Sequence, residues 1–176
     1  MITGKNVVLR AIEKADLPQL MEWRNNPEMR KYFRGVDEIN TDNQNKWFDV
    51  INDKDSIHKM FAIVKKDTNE LMGACGLCHI NWINRSADFS IYIGYDNIYV
   101  DNVYAVEAAN LMRDYGFEVL NLHRLWTEIY SLDKSKKKLY DLLEFKLEGE
   151  FRDTYWHGNM WHSSLFYALL SSDERS

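Results

Sequence analysis

Ala87-Asp88-Phe89-Ser90-Ile91-Tyr92-Ile93-Gly94, taken with the helical run from Tyr104 to Tyr115 and with His123-Arg124-Leu125-Trp126-Thr127-Glu128-Ile129-Tyr130, decides the fold. The first segment is a mostly apolar run closed by glycine, and it reads as a strand. Tyr104, Ala108, Leu111, Met112 and Tyr115 recur at helical spacing, with Asp101 or Asn102 placed to cap them. In the last segment Leu125, Thr127 and Ile129 alternate with Arg124, Trp126 and Glu128, the two-residue period of a strand. A strand, a crossover helix and a second strand imply a parallel pair.

Working outward, residues 60–64 and 71–80 flank the polar turn Lys65-Lys66-Asp67-Thr68-Asn69 and predict a hairpin. Val7-Val8-Leu9-Arg10 predicts an opening strand. Asp16 stands where it can cap a helix bearing Leu17, Leu20 and Met21, and Asn25-Asn26-Pro27 stops that helix. A second helix opens at Thr41 with Gln44 as a capping box, presenting Gln44, Trp47, Phe48 and Ile51. Downstream, 134–143 predicts a short basic helix, and 145–156 with 160–170 a closing strand pair. The expected class is α/β (α+β): one twisted mixed sheet of about six to seven strands flanked by helices, in a single domain over 1–176.

Composition narrows the function. Lys and Arg number 22 against 27 Asp and Glu, a formal charge of −5 that disfavours non-specific nucleic-acid binding. No run approaches the roughly 20 apolar residues of a membrane span. Met1-Ile2-Thr3-Gly4-Lys5-Asn6 shows no basic flank before an apolar run, so a cytoplasmic location away from membranes is expected. Two cysteines make no disulfide framework. Cys75-Gly76-Leu77-Cys78-His79 matches a haem-attachment spacing, but without an export signal it reads as small strand residues. No second ligand pair accompanies it, and His157 and His162 fit no helical metal motif, so no metal is expected. Glu128 and Tyr140 form the candidate constellation: a strand carboxylate and a phenol returned by the next helix, suited to general base and general acid.

These elements and motifs together resemble the GNAT N-acetyltransferase family, over nearly the whole chain. Val7-Val8-Leu9-Arg10-Ala11 with Asp16-Leu17, then Glu22-Trp23-Arg24-Asn25, is similar to the opening of the branch that acetylates ribosomal-protein N-termini. Glu107-Ala108, Tyr115-Gly116-Phe117 and Leu120-Asn121-Leu122-His123-Arg124-Leu125 resemble its central helix and following strand. Phe145, Glu148, Gly149 and Arg152 follow at the matching spacing. The resemblance implies a sheet with splayed central strands, acetyl-CoA as co-substrate in the gap, and a primary amine as acceptor. The acceptor is then a protein N-terminus or a small-molecule or amino-sugar amine, and the protein a monomer or homodimer. It implies Glu128 as base and Tyr140 as acid. It implies that Ile91, Ile93, Asn102, Val103, Tyr104, Ala105 and Asp133 contact the donor, with a backbone N–H near Ile93 polarising the thioester.

Trp23, Asn25, Trp82 and Tyr155 are the expected acceptor-side residues. The pyrophosphate loop departs from the family pattern. Val100 replaces a basic or amide residue, Val103 a glycine, and Asp101 adds a negative charge; Asp133 replaces a strand-end asparagine. The lysines at 134, 136, 137 and 138 read as a solvated face, with a CoA phosphate as their other use. Such departures keep open a non-catalytic ligand-sensing module of the same fold.

Overall fold

A computed structural model describes residues 1–35 and 37–173. Its strands are β1 (Ile2–Thr3), β2 (Val7–Ala11), β3 (Lys59–Lys65), β4 (Leu71–Asn81), β5 (Ser86–Ile93), β6 (Arg124–Tyr130), β7 (Lys146–His157) and β8 (Met160–Leu170). They form one 8-stranded sheet in the order β1-β2-β3-β4-β5-β6-β8-β7. The expected six to seven strands become eight because Ile2–Thr3 adds a short edge strand on Val8 and Leu9.

Every neighbouring pair is antiparallel except β5 with β6. That parallel pair is registered only at Ser86↔Arg124, Ala87↔Leu125 and Asp88↔Trp126. Beyond Asp88 the two strands part, so their C-terminal halves leave a gap in the middle of the sheet. Gly158 and Asn159, at φ +58° and +60°, make the tight turn that joins β7 to β8.

The helices are α1 (Leu17–Asn25), α2 (Pro27–Arg30), α3 (Thr41–Asn52), α4 (Tyr104–Asp114) and α5 (Lys134–Leu142). Helices α4 and α5 cover one face of the sheet, where Leu9, Ile63, Leu77, Phe89 and Leu125 pack with Ala108, Met112 and Leu139. Ala105, Ala108 and Ala109 are fully buried, and their small side chains let α4 lie close to the strands. The other face packs Ala62, Val64, Ala74 and Tyr92 against Leu17, Leu20, Trp23, Met29 and Phe33. Both sheet faces are therefore covered, which explains the nearly unbroken apolar run of β4.

Three local expectations change. Asp16 does not cap α1; its carboxylate pairs with Arg10 at 2.7 Å and accepts from the Glu13 N–H at 2.8 Å. The buried face of α1 is Leu17, Leu20 and Trp23 rather than one including Met21. Asn40, one residue before Thr41, caps α3 by accepting from the Asn43 N–H. Among the described residues no helix is long and apolar enough to cross a membrane.

Candidate active site

The site grows from the parting of β5 and β6. Strand alternation sends Leu125, Thr127 and Ile129 into the α4–α5 layer, and Trp126, Glu128 and Tyr130 to the α1–α3 side. Asp88, the last β5 residue paired to β6, is fully buried and lies opposite Cys78 on β4. An unpaired buried carboxylate is costly. Arg34, from the loop after α2, supplies the partner, donating to Asp88 Oδ2. The same guanidinium lies 3.8 Å from Glu128 Oε2. Asp88, Arg34 and Glu128 thus form a row of charges across the mouth of the gap. Burial holds the Asp88 carboxyl above its usual range, against the pull of Arg34, and its Oδ1 has no hydrogen-bond partner.

Tyr140 reaches β6 from the opposite face. Its side chain is fully buried among Phe89, Phe145 and Tyr167, and its hydroxyl lies 3.3 Å from Thr127 Oγ1. Burial pushes this phenol up, so it stays protonated at neutral pH. Glu128 and Tyr140 therefore do not touch; they flank β6, and each addresses the gap from its own side.

The chain's own residues fill part of that gap. Strand alternation gives Ile91 and Ile93 backbone N–H groups directed toward β6 rather than β4. The Ile93 N–H is engaged, donating to the Tyr99 carbonyl at 2.7 Å. This commits the amide that the resemblance assigns to a thioester carbonyl; Ile91, two residues earlier, presents its N–H along the same edge. Tyr99 is buried, stacks on Tyr32 at 4.6 Å between centroids, and donates from its hydroxyl to Asp133 Oδ2 at 2.5 Å. Asp133 also caps α5 by accepting from the Lys136 N–H.

Lys136 departs from the solvated-face expectation: it is only 8% exposed. Its ammonium lies 5.6 Å from the centre of the Tyr99 ring and 5.9 Å from that of Phe33. Burial pulls its pKa down to about 8, while Asp133 opposes the shift. Lys134 and Lys137 do stay at the surface, on the Ser131 carbonyl and on Asp141.

At the start of α4, Asp101 folds back onto the helix. Its carboxylate accepts from the Tyr104 N–H at 3.0 Å and the Ala105 N–H at 2.6 Å. Free helix N-terminal amides attract anions, and here a side chain of the chain itself occupies two of them. Val103 stands half exposed beside them, and Asn102 is exposed.

A cavity of about 240 Å³ lies on the α1–α3 face, lined by Arg24, Asn43, Gln44, Trp47, Cys78 and Ser90 among others. Cys78 in this lining lies opposite Asp88, and Ser90 stands two residues beyond Asp88 on the same face of β5, so the cavity adjoins the charge row. The expected acceptor-side residues fare unevenly. Trp23 is buried beneath Gly94, where a Cβ would stand 1.9 Å from the indole. Asn25 clamps the loop before α3, accepting from the Ile39 N–H and donating to the Ile39 carbonyl. Trp82 lies half exposed in the β4–β5 turn, outside the cavity lining. Tyr155 stacks on Tyr130 at 3.9 Å, next along β6 on the Glu128 side. Among the described residues no cluster of three or more His, Cys, Asp and Glu side chains is arranged to hold a metal ion.

Arg34, Asp88 and Tyr99 are site residues that sequence reasoning missed, while Arg24 and Lys136 were noted only within the Trp-Arg-Asn run and the basic run of α5. The pairing of Arg34 with Asp88 spans 54 positions and leaves no local pattern.

The mixed sheet thus opens at its parallel pair, β5 and β6, with α4 crossing over between them and Glu128 and Tyr140 on opposite faces of β6. Residues 6–146 match the acetyltransferase (GNAT) domain family, and the chain belongs to it. Its chemistry is acetyl transfer to nitrogen. The chain is 30% identical over 153 residues to the uncharacterized N-acetyltransferase p20 of Bacillus licheniformis, covering 85% of this chain and 84% of that one. It is 29% identical over 166 residues to the spermidine N(1)-acetyltransferase of Escherichia coli K12, covering 94% and 86%. The structure superimposes on the spermidine N-acetyltransferase of Vibrio cholerae, crystallised with CoA and spermine, with a TM-score of 0.86. That pair is 24% identical, with 97% of this chain and 99% of the other covered. These relatives support the acetyltransferase expectation; the branch acting on ribosomal-protein N-termini is not among them.

Proposed function

We propose that this protein transfers the acetyl group of acetyl-CoA to the primary amine of a small molecule bound in the cavity beside Glu128. The observation that carries the reading is the placement of Glu128 and Tyr140 on opposite faces of β6, at the gap where β5 turns away. A thioester lying in that gap is open to an amine from the Glu128 side, and its sulfur leaves toward Tyr140.

The amine nitrogen attacks the carbonyl carbon, the C–N bond forms and the C–S bond breaks. The amine proton passes to Glu128, directly or through a water, and Tyr140 donates its hydroxyl proton to the departing thiolate. Arg34 holds Asp88 and keeps Glu128 in place beside it. The Ile91 N–H is the edge donor left for the carbonyl oxygen. The donor's phosphates fit the α4 amides of Tyr104 and Ala105 by exchange with the Asp101 carboxylate, and its amide-bearing arm by exchange with Tyr99. A cavity of about 240 Å³ suits a compact acceptor better than a polypeptide N-terminus, which needs a groove.

The test is thiol release from acetyl-CoA in the presence of a primary amine, comparing wild type with Glu128→Gln. The variant is expected to lose about 10²-fold or more in turnover while still binding acetyl-CoA. Its loss should deepen at low pH, where the free amine is scarce. Equal turnover, or a loss that does not change with pH, removes Glu128 from the base role.

A further inference from the structure

The lining of the α1–α3 cavity carries a single formally charged side chain, Arg24, and no carboxylate. Cys78 and Tyr92, which also line it, remain neutral, because burial pushes each up to about 12. Arg24 Cζ lies over the Phe33 ring, 4.2 Å from its centre. A cation–π contact of that kind holds the guanidinium in place and leaves its N–H groups as donors. The Nε of Arg24 is buried and has no hydrogen-bond partner. A buried, unmatched donor on a cation costs free energy and calls for an explanation, and a bound oxyanion provides one. At the other side of the cavity, past Cys78 and Ser90, stand Asp88 and Glu128 with Arg34, and the Lys136 ammonium also acts on Asp88. The cavity is therefore positive and acid-free where the acceptor's body lies, and the two carboxylates stand beyond its edge, where the amine must react.

We propose that the acceptor is a compact primary amine carrying its own carboxylate or phosphate, with the oxyanion held by Arg24 and the nitrogen directed to Glu128. This rests on reading the cavity as the acceptor site. A polyamine, the substrate in the names of several relatives, meets a like charge at Arg24 and finds no carboxylate in the lining to receive its further ammonium groups. Asn43 and Gln44, beside Trp47, give the amine's body amide partners and an apolar wall. At about 240 Å³ the space is below the range of drug-sized pockets, about 300–1,000 Å³, which fits a small polar molecule.

The experiment compares glucosamine 6-phosphate, β-alanine, glucosamine and spermidine as acceptors, reading both thiol release from acetyl-CoA and direct calorimetric binding to the enzyme with CoA. The two oxyanion-bearing amines are expected to exceed glucosamine and spermidine by about tenfold or more in kcat/KM and in affinity. Arg24→Gln should raise KM for glucosamine 6-phosphate about tenfold and erase its advantage over glucosamine, with kcat little altered, while Arg24→Lys keeps part of the preference. Spermidine as the best acceptor, or an Arg24→Gln variant that retains the preference, overturns the acceptor class and leaves acetyl transfer intact. Tight binding of the oxyanion-bearing amines without any transfer supports the class and instead removes the catalytic roles given to Glu128 and Tyr140. No binding by either of them overturns the class.

Discussion

Replacing Arg34 by glutamine tests the charge row most sharply. Asp88 is fully buried, its Oδ1 is unpartnered, and Arg34 is the cation that donates to its other oxygen. Removing one member of a buried ion pair typically costs about 3–5 kcal/mol. Here the Arg34 side chain is 44% exposed, so water screens part of the pair and about 2–3 kcal/mol is the expected loss at pH 8. With a urea slope of about 2 kcal/mol/M, the unfolding midpoint should fall by about 1 M.

The loss should depend on pH with a defined sign. Burial already raises the Asp88 pKa in the folded protein, and Arg34 opposes that rise; without Arg34 the pKa climbs further. Between the unfolded value, about 3.9, and the raised folded value, the folded state binds the extra proton, so stability falls as pH rises through that window. In the variant the window extends to higher pH. The deficit relative to wild type is therefore full above the variant's Asp88 pKa and shrinks as pH is lowered toward the unfolded value. Urea titrations at pH 8 and pH 5 read this directly, and adding Asp88→Asn to the variant should restore most of the stability at pH 8. A deficit equal at both pH values, or no rescue by Asp88→Asn, would refute the reasoning.

Other perturbations address the donor side and the packing. Asp101→Asn keeps a capping oxygen on the α4 amides but removes the charge competing with phosphate. Relief of about 1–2 kcal/mol of like-charge repulsion should tighten acetyl-CoA binding about 5–30-fold in a calorimetric titration, and weaker binding would show that the phosphates lie elsewhere. Tyr140→Phe should lower turnover about 10²-fold with unchanged acetyl-CoA affinity, and unchanged turnover removes Tyr140 as the acid. Gly94→Ala places a Cβ 1.9 Å from the Trp23 ring, so thermal unfolding should reveal a loss of about 1–3 kcal/mol; wild-type stability would mean that the indole yields without strain.

The fold was legible because its deciding feature is local. A strand ending at Gly94, a helical repeat through Met112 and an alternating strand through Glu128 can each be read within a short window. Glu128 and Tyr140 were likewise legible as residue types on adjacent elements, although not their separation by the thickness of β6. What the sequence hid depends on long-range packing. Asn25 reads as a polar site residue, yet both ends of its amide are spent on the backbone of Ile39. Lys136 belongs to a basic run, and only the approach of Phe33 and Tyr99 shows that this one lysine turns inward. Asp101 reads both as a cap of the central helix and as a misplaced charge in a phosphate loop; the structure bears out the cap, which satisfies amides that a phosphate would otherwise take.

The gap between β5 and β6 is the centre of this account, and a calorimetric titration of the full chain with acetyl-CoA tests it most directly. Saturable binding of one molecule per chain is the expected result, with Tyr99 and Asp101 giving way to the donor. No saturable heat at two well-separated temperatures, from protein that unfolds cooperatively and is therefore intact, would contradict it. The gap would then be closed by the chain's own residues.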